Sequence, residues 1–157
     1  MRTRMLMLGV AALASLAACG TSAGHGQHAG AAGQPAAAVP AGVSVQVEQS
    51  SLGPILTDQN GRTLYAFTKD KDGTSTCTGQ CIATWPALVS KQPATTGAGA
   101  DRALLSKADR SEGSAQATYG NWPLYYYAGD VGPGDVDGQG VDGVWFAVGA
   151  DGKLVKS

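Results

Sequence analysis

The sequence predicts an all-β fold: a small antiparallel domain of hairpins, arranged as a sandwich or an open barrel. Three observations carry this. Short stretches alternate apolar and polar residues, the pattern of half-buried strands. Clusters of Asn, Asp and Gly separate these stretches at close intervals. No stretch after residue 42 shows a convincing 3.6-residue period. The composition agrees, since only 15% of the 157 residues are charged and 23 are Gly. Such a chain is poor material for long surface helices.

The elements follow in order. Val43-Ser-Val-Gln-Val-Glu48 alternates cleanly and forms the first strand. Leu52 to Thr57 and Arg62 to Thr68 flank Asp58-Gln-Asn60-Gly61, where Asn-Gly predicts a type I′ hairpin turn because both residues tolerate positive φ. Leu104 to Asp109 and Ser114 to Tyr119 flank Ser111-Glu-Gly113 as another hairpin. Gly120-Asn121 then turns the chain into a strand over Trp122 to Ala128. Val144 to Val148 and Lys153 to Lys156 flank Ala150-Asp-Gly152 as the last pair.

The first 42 residues do not belong to this fold. Residues 1–18 read as a signal peptide: Arg2 and Arg4 precede an apolar run, Met5 to Ala18, broken only by Ser15. The run is too short to span a bilayer, which takes about 20 residues. It ends Leu16-Ala17-Ala18-Cys19, like a bacterial lipobox. Small side chains lie beside the cut, followed by a thiol that takes the diacylglycerol and becomes the new N-terminus. The alternative is an ordinary signal peptide with an incidental Cys. Two or three acyl chains on Cys19, at about 0.8 kcal/mol per buried CH₂, would give stable anchoring. Residues 20–42 carry no charge and are mostly Ala, Gly, Gln, Ser and Pro, so 19–42 reads as a lipidated Cys and a flexible linker. His25 and His28 lie there without further metal ligands nearby.

Removing the signal leaves nine Lys and Arg against 12 Asp and Glu, a net charge of −3. That provides no basic footprint for nucleic acid. All three Met and both His precede residue 43, and the fold keeps only Cys77 and Cys81 as thiols.

An offset of 60 relates two stretches without a gap. Leu64, Tyr65, Asp70, Trp85 and Ala87 match Leu124, Tyr125, Asp130, Trp145 and Ala147, while Phe67 and Leu88 match Tyr127 and Val148 by type. Internal duplication is the simplest account, with halves at about 44–93 and 102–157 inside a domain of 43–157. The Gly-rich stretch from Thr95 to Ala100 joins them.

These residues resemble a known family. Tyr65-Ala-Phe67-Thr-Lys-Asp70, Cys77-Thr-Gly-Gln-Cys81 followed by Trp85-Pro86, Trp122-Pro-Leu-Tyr125-Tyr-Tyr127-Ala-Gly-Asp130, and Gly138-Gln-Gly with Val144-Trp145-Phe146 are similar to the bacterial secreted-repeat lipoproteins with a Tyr-x-(Phe/Trp/Tyr)-x-x-Asp motif. The resemblance implies an extracytoplasmic lipoprotein of two repeats. It implies no mechanism, beyond a loose association of related proteins with alkane breakdown. The second half lacks the two Cys, which align with Asp137 and Val141.

Little in the fold can carry chemistry. Cys77 and Cys81 form an even pair in an exported chain and read as a disulfide. The rival, a Cu(I) site, would need a His or Met that the fold does not contain. In a strand, Tyr65 and Phe67 share a face, as do Tyr125 and Tyr127, with Tyr126 opposite. Two readings stand for these residues. Either they pack in the core while Asp70 and Asp130 cap the following turns through Asx-type bonds, or they form an aromatic platform beside a carboxylate for a sugar or a small apolar ligand. Asp135, Asp137 and Asp142, in a Gly-rich loop with Asp130, are weak calcium candidates without the spacing of an EF-hand.

Histidine triads, cysteine nucleophiles and phosphate-cradling loops are absent from the fold's sequence. Only an Asp pair could serve a carboxylate-dependent hydrolase. The expectation is therefore no enzyme and no cofactor. The chain reads as a lipoprotein on the extracytoplasmic face of the cell membrane, acting as a non-catalytic binding or interaction module. Its partners would be the membrane, through the lipid on Cys19, and a small apolar or sugar ligand or an envelope protein. The alternative is a structural envelope lipoprotein without a small ligand.

Overall fold

Strand β1 (Ser44–Ser50) turns back into β2 (Gly53–Asp58), antiparallel, with Val45 opposite Asp58 and Ser50 opposite Gly53. The computed structural model describes residues 42–156. The expected signal peptide, Cys19 and the His25/His28 pair lie outside the described residues.

After β2 the chain doubles back into β3 (Tyr65–Phe67). The turn is not the type I′ that Asn60-Gly61 predicts. Among these residues only Gly61 has positive φ, at 77°. The Asp58 carboxylate accepts the backbone N–H of Asn60 (2.8 Å) and of Arg62 (3.0 Å), which holds a type I turn with the left-handed residue after it. The type I′ geometry occurs 60 residues later, at Gly120 (φ 58°) and Asn121 (φ 69°).

A one-turn helix, α1 (Gln80–Thr84), begins at the end of the Cys77–Cys81 segment, where no element was expected. The disulfide joins residues four apart with Cα atoms 5.3 Å from each other, a separation that one helical turn spans. The Gly-rich connector is also structured. Its residues Thr95–Thr96 form β4, parallel to β1, so the fold is not purely antiparallel. The second half repeats the first, with β5 (Leu105–Asp109), β6 (Ala115–Tyr119) and β7 (Trp122–Pro123) as a meander. A 3-10 turn over Val141–Gly143 precedes β8 (Trp145–Ala147). Beyond β8, Val148 bridges Leu154 and Gly149 N–H reaches Lys153 O, which matches the last expected pair. The strand expected over Trp122 to Ala128 is regular only as β7; beyond it, single bridges hold the extended chain.

The two halves do not fold side by side. They exchange strands. β3 of the first half pairs with β8 of the second, Tyr65 opposite Ala147 and Phe67 opposite Trp145. Reciprocally, Ala87 of the first half bridges Tyr125 of the second. At the centre Tyr65 and Tyr125 face each other and exchange both backbone hydrogen bonds, at 2.8 and 2.9 Å. Swapping the halves maps this pairing onto itself.

Alternation along the exchanged strands separates two core clusters. Leu64, Ala66, Leu88, Leu124 and Val148 face one side, packed with Val45, Leu56, Ala117 and Tyr119. Tyr65, Trp85, Tyr125, Trp145 and Ala147 face the other, with Ile55 and Cys77. Several strands are short, so burial on both faces does much to hold this sheet together.

Candidate functional site

The second cluster contains four of the aromatic residues that the sequence singled out, Tyr65, Phe67, Tyr125 and Tyr127. Tyr65 of β3 and Tyr125 of the extended segment after β7 sit opposite each other and are fully buried. Each hydroxyl crosses to the other repeat's acid. Tyr65 donates to Asp130 Oδ2 at 2.9 Å, and Tyr125 donates to Asp70 Oδ2 at 2.6 Å. The second oxygen of each carboxylate closes its own loop. Asp70 Oδ1 accepts the backbone N–H and the hydroxyl of Thr76 (2.7 and 2.8 Å). Asp130 Oδ1 accepts the backbone N–H of Asp137 (3.0 Å). These bonds reach six and seven residues ahead, not the two of an Asx turn. The carboxylates point inward to meet a phenol, so they tie off whole loops instead of capping single turns.

The phenols are saturated as well. Tyr65 accepts from Gly138 N–H at 3.3 Å. A side chain on Gly138 would meet the Tyr65 ring at 2.8 Å, so this close approach requires glycine. Tyr125 lies 2.7 Å from Ser75 Oγ, which also receives Arg110 Nη1 at 2.7 Å. The nearly buried Arg110 further donates to Gln116 Oε1 (2.7 Å) and Cys77 O (2.9 Å), and pairs with Glu112. Arg110 thus ties the second half's hairpin to the first half's disulfide loop, and its hydrogen bond holds the Glu112 carboxyl below the usual range.

Burial, followed by the neighbouring carboxylate, pushes the Tyr65 and Tyr125 hydroxyls well above their ordinary value. Burial also raises the Asp130 carboxyl, against the Tyr65 and Asp137 hydrogen bonds that favour its ionised form. Tyr126 points to the opposite face. Its hydroxyl donates to Asp58 Oδ2 at 3.0 Å, and the Arg62 guanidinium lies 4.3 Å from the ring centre. Burial and Asp58 raise this hydroxyl too.

Around the Tyr–Asp pairs runs a continuous stack of four rings. Phe67 stacks on Trp145 (4.3 Å, 13°), Trp145 on Trp85 (3.9 Å, 3°), and Trp85 on Tyr127 (4.5 Å, 31°). Tyr65 meets Trp85 edge-on at 5.5 Å, and Tyr125 meets Trp145 at 5.1 Å. The tryptophans are buried, whereas Phe67 and Tyr127 end the stack half-buried, with Lys69 Nζ 5.8 Å from the Phe67 centre. The offset of 60 carries each ring onto its mate, Phe67 onto Tyr127 and Trp85 onto Trp145.

The sequence pairs Tyr65 with Phe67 and Tyr125 with Tyr127, each beside its own motif's acid; the structure instead brings the two motifs into one cluster, with each acid bonded to the other motif's tyrosine. Sequence reasoning did not place Trp85 and Trp145 at the centre, nor did it find Ser75, Thr76 or Arg110. The offset alone carried a signal for the tryptophans, since it made both of them mates. Asp135, Asp137 and Asp142 do not converge. Asp135 Oδ2 is occupied by Val131 and Gly132 N–H (2.9 and 2.8 Å), and Asp142 sits in the 3-10 turn. Among the described residues no three His, Cys, Asp or Glu side chains are placed to hold a metal ion. No described helix is long and apolar enough to cross a membrane.

This arrangement can do two things chemically. It locks two repeats together through buried charge-assisted hydrogen bonds, and it leaves the outer faces of Phe67 and Tyr127 at the two ends of a rigid aromatic column.

No curated protein and no solved structure matches the chain. A family described as a secreted repeat of unknown function matches it twice, over residues 46–89 and 106–149, again 60 apart. These matches take in more than half of the chain, including both Tyr–Asp motifs, Trp85 and Trp145, and the protein belongs to this family of secreted repeats.

Proposed function

We propose that this protein is a non-catalytic binding module, anchored by a lipid on Cys19 to the extracytoplasmic face of the cell membrane. The observation that carries the non-catalytic reading is the reciprocal Tyr65–Asp130 and Tyr125–Asp70 pairing. It uses the acids and phenols of the repeated motif to hold the fold, and their hydrogen-bonding capacity is taken up within it. Membership of a secreted family and the Cys77–Cys81 bridge support an extracytoplasmic location. The short apolar run ending in Leu16-Ala17-Ala18-Cys19 supports the anchor.

The binding surface in this reading is the half-buried ring at an end of the column, Phe67 or Tyr127, and its ligand is a small apolar compound or a sugar. The second reading, a structural envelope protein without a small ligand, is favoured by how completely the motif residues are absorbed into the core. Two measurements test the proposal. Mass spectrometry of the mature N-terminus should find an acylated Cys19, and Cys19→Ala should release the protein from the membrane fraction. A thermal-shift screen against sugars, apolar compounds, Ca²⁺ and EDTA should show a hit that Phe67→Ala or Tyr127→Ala abolishes. A flat screen would transfer the case to the structural reading, and an unmodified Cys19 would remove the anchor.

A further inference from the structure

Away from the aromatic column, the segment Ser90 to Ala94 runs past β5 and the start of β6 and leaves a cleft of about 400 Å³. Its floor is apolar: Leu105 and Ala117 are buried, and Ala115 continues them along β6. Its rim carries Lys91, Arg102 and Lys107, and none of the described residues lining it is acidic. The contrast with the rest of the chain is sharp. Without its signal the chain has a net charge of −3, yet three of its nine cationic side chains converge on this one cleft.

The placement follows from the strand register. Lys107 pairs with Ala117 and Leu105 with Tyr119, so Leu105, Lys107 and Ala117 share one face of the hairpin. A lysine on this face lays its stem over alanine and leaves its ammonium at the mouth. Arg102 is held there by a bond from Nη1 to Leu105 O at 3.0 Å. Lys107 Nζ is 3.9 Å from Asp109, but both side chains are mostly exposed, and such a pair is too weak to hold the lysine away from a ligand.

We propose that this cleft binds a small, single-tailed amphiphile with a carboxylate head, a fatty carboxylate. The tail lies over Leu105, Ala115 and Ala117, and the head sits among Lys91, Arg102 and Lys107. The volume falls near the lower end of the roughly 300–1,000 Å³ range of small-molecule sites, which suits one tail and not the two of a phospholipid. The chain's own linker, residues 20–42, is uncharged and offers no anionic group to the rim. This site is separate from the aromatic faces and does not depend on the reading given for them.

The test uses the full chain in nanodiscs of neutral phosphatidylcholine, with decanoate bearing a photoactivatable group in its tail. Peptide mapping should find the label in residues 90–94 and 105–117. Lys91→Gln/Arg102→Gln/Lys107→Gln should lower this labelling about tenfold or more, from three weak charge contacts acting together. Lys91→Gln/Lys107→Gln keeps the Arg102 contact to Leu105 and should give an intermediate loss, with an unchanged melting curve showing that the fold is intact. The matching alcohol should label the cleft weakly, and to the same extent in the wild type and the triple variant. Label spread along the chain, label retained by the triple variant, or alcohol labelling as strong as that of decanoate would each overturn the proposal. So would stronger labelling by a photoactivatable phospholipid than by decanoate.

Discussion

The Tyr65 hydroxyl donates to Asp130, 65 residues away, at 2.9 Å, and not to Asp70 in its own Tyr-x-aromatic-x-x-Asp motif. Tyr125 returns the exchange with Asp70 at 2.6 Å. Each motif therefore supplies half of two bonds, and neither repeat can satisfy its own buried phenol. This makes the duplication a single cooperative unit.

A double-mutant cycle should show this directly. Tyr65→Phe and Asp130→Asn each lower stability by about 1–3 kcal/mol, because each strands a buried partner. Combined, they should show a coupling of about 0.5–3 kcal/mol in urea unfolding. Tyr65→Phe with Asp70→Asn, the pair within one motif, should be additive. Coupling inside the motif and none across it would contradict the exchange.

Asp130 sets a pH dependence of unusual sign. Its carboxyl is raised, chiefly by burial, so the folded chain takes up this proton more readily than the unfolded chain. The contribution of this group to stability therefore grows as the pH falls through the raised folded value toward the ordinary Asp range, and it is lost as the pH rises again. Relative to Asp130→Asn, the wild-type melting temperature should climb on acidification from neutral pH. A constant gap between the two proteins would show that Asp130 titrates normally.

Three tyrosines respond to alkali together. The hydroxyls of Tyr65, Tyr125 and Tyr126 are all raised, mainly by burial and next by Asp130, Asp70 and Asp58 respectively. The stability that this gives is complete below the ordinary tyrosine value of about 10 and is lost as the pH rises above it, since unfolding then releases protons. In a spectrophotometric titration the phenolate absorbance of these three should appear only as circular dichroism reports unfolding. Free titration at ordinary alkaline pH in the folded protein would place them in solvent.

The tryptophan pair has an optical signature. Rings 3.9 Å apart and 3° from parallel couple strongly, so the native protein should show an exciton couplet in circular dichroism. Trp85→Phe and Trp145→Phe should each abolish the whole couplet, because coupling needs both indoles. Trp145→Ala should also cost about 3–5 kcal/mol, as expected for a large buried ring packed between Phe67 and Trp85. Survival of half the signal in either variant would mean that the rings do not interact.

Much of this molecule is legible along the chain. The 60-residue offset identifies the repeat and pairs every ring in the stack with its mate. Alternation puts Tyr65 and Phe67 on one side of their strand, Tyr125 and Tyr127 on one side of theirs, and Tyr126 opposite the latter two. Gly113 marks the β5–β6 turn, with φ of 84°. These are local properties, fixed by side-chain period and by which residues tolerate positive φ. The Asn60-Gly61 turn shows the limit even here, because the Asp58 side chain selected another geometry from the same residues.

Which strands lie beside each other was legible within the hairpins but not between the two halves. A period of two states which face a residue takes but says nothing about its neighbour across the sheet. The exchange of β3 and β8 between halves, the crossing of Tyr65 to Asp130, and the meeting of Trp85 with Trp145 are all contacts distant in sequence. The same holds for Arg110, which nothing in its local sequence singles out and which the fold brings against the disulfide loop, and for Lys91, Arg102 and Lys107, which form no motif in order. The sequence by itself determined most of the strands and the alternation of faces along each, the repeat and the cysteine pair. Tertiary structure alone decided the partners between halves, because packing of the two halves selects which complementary surfaces meet, and no local rule carries that information.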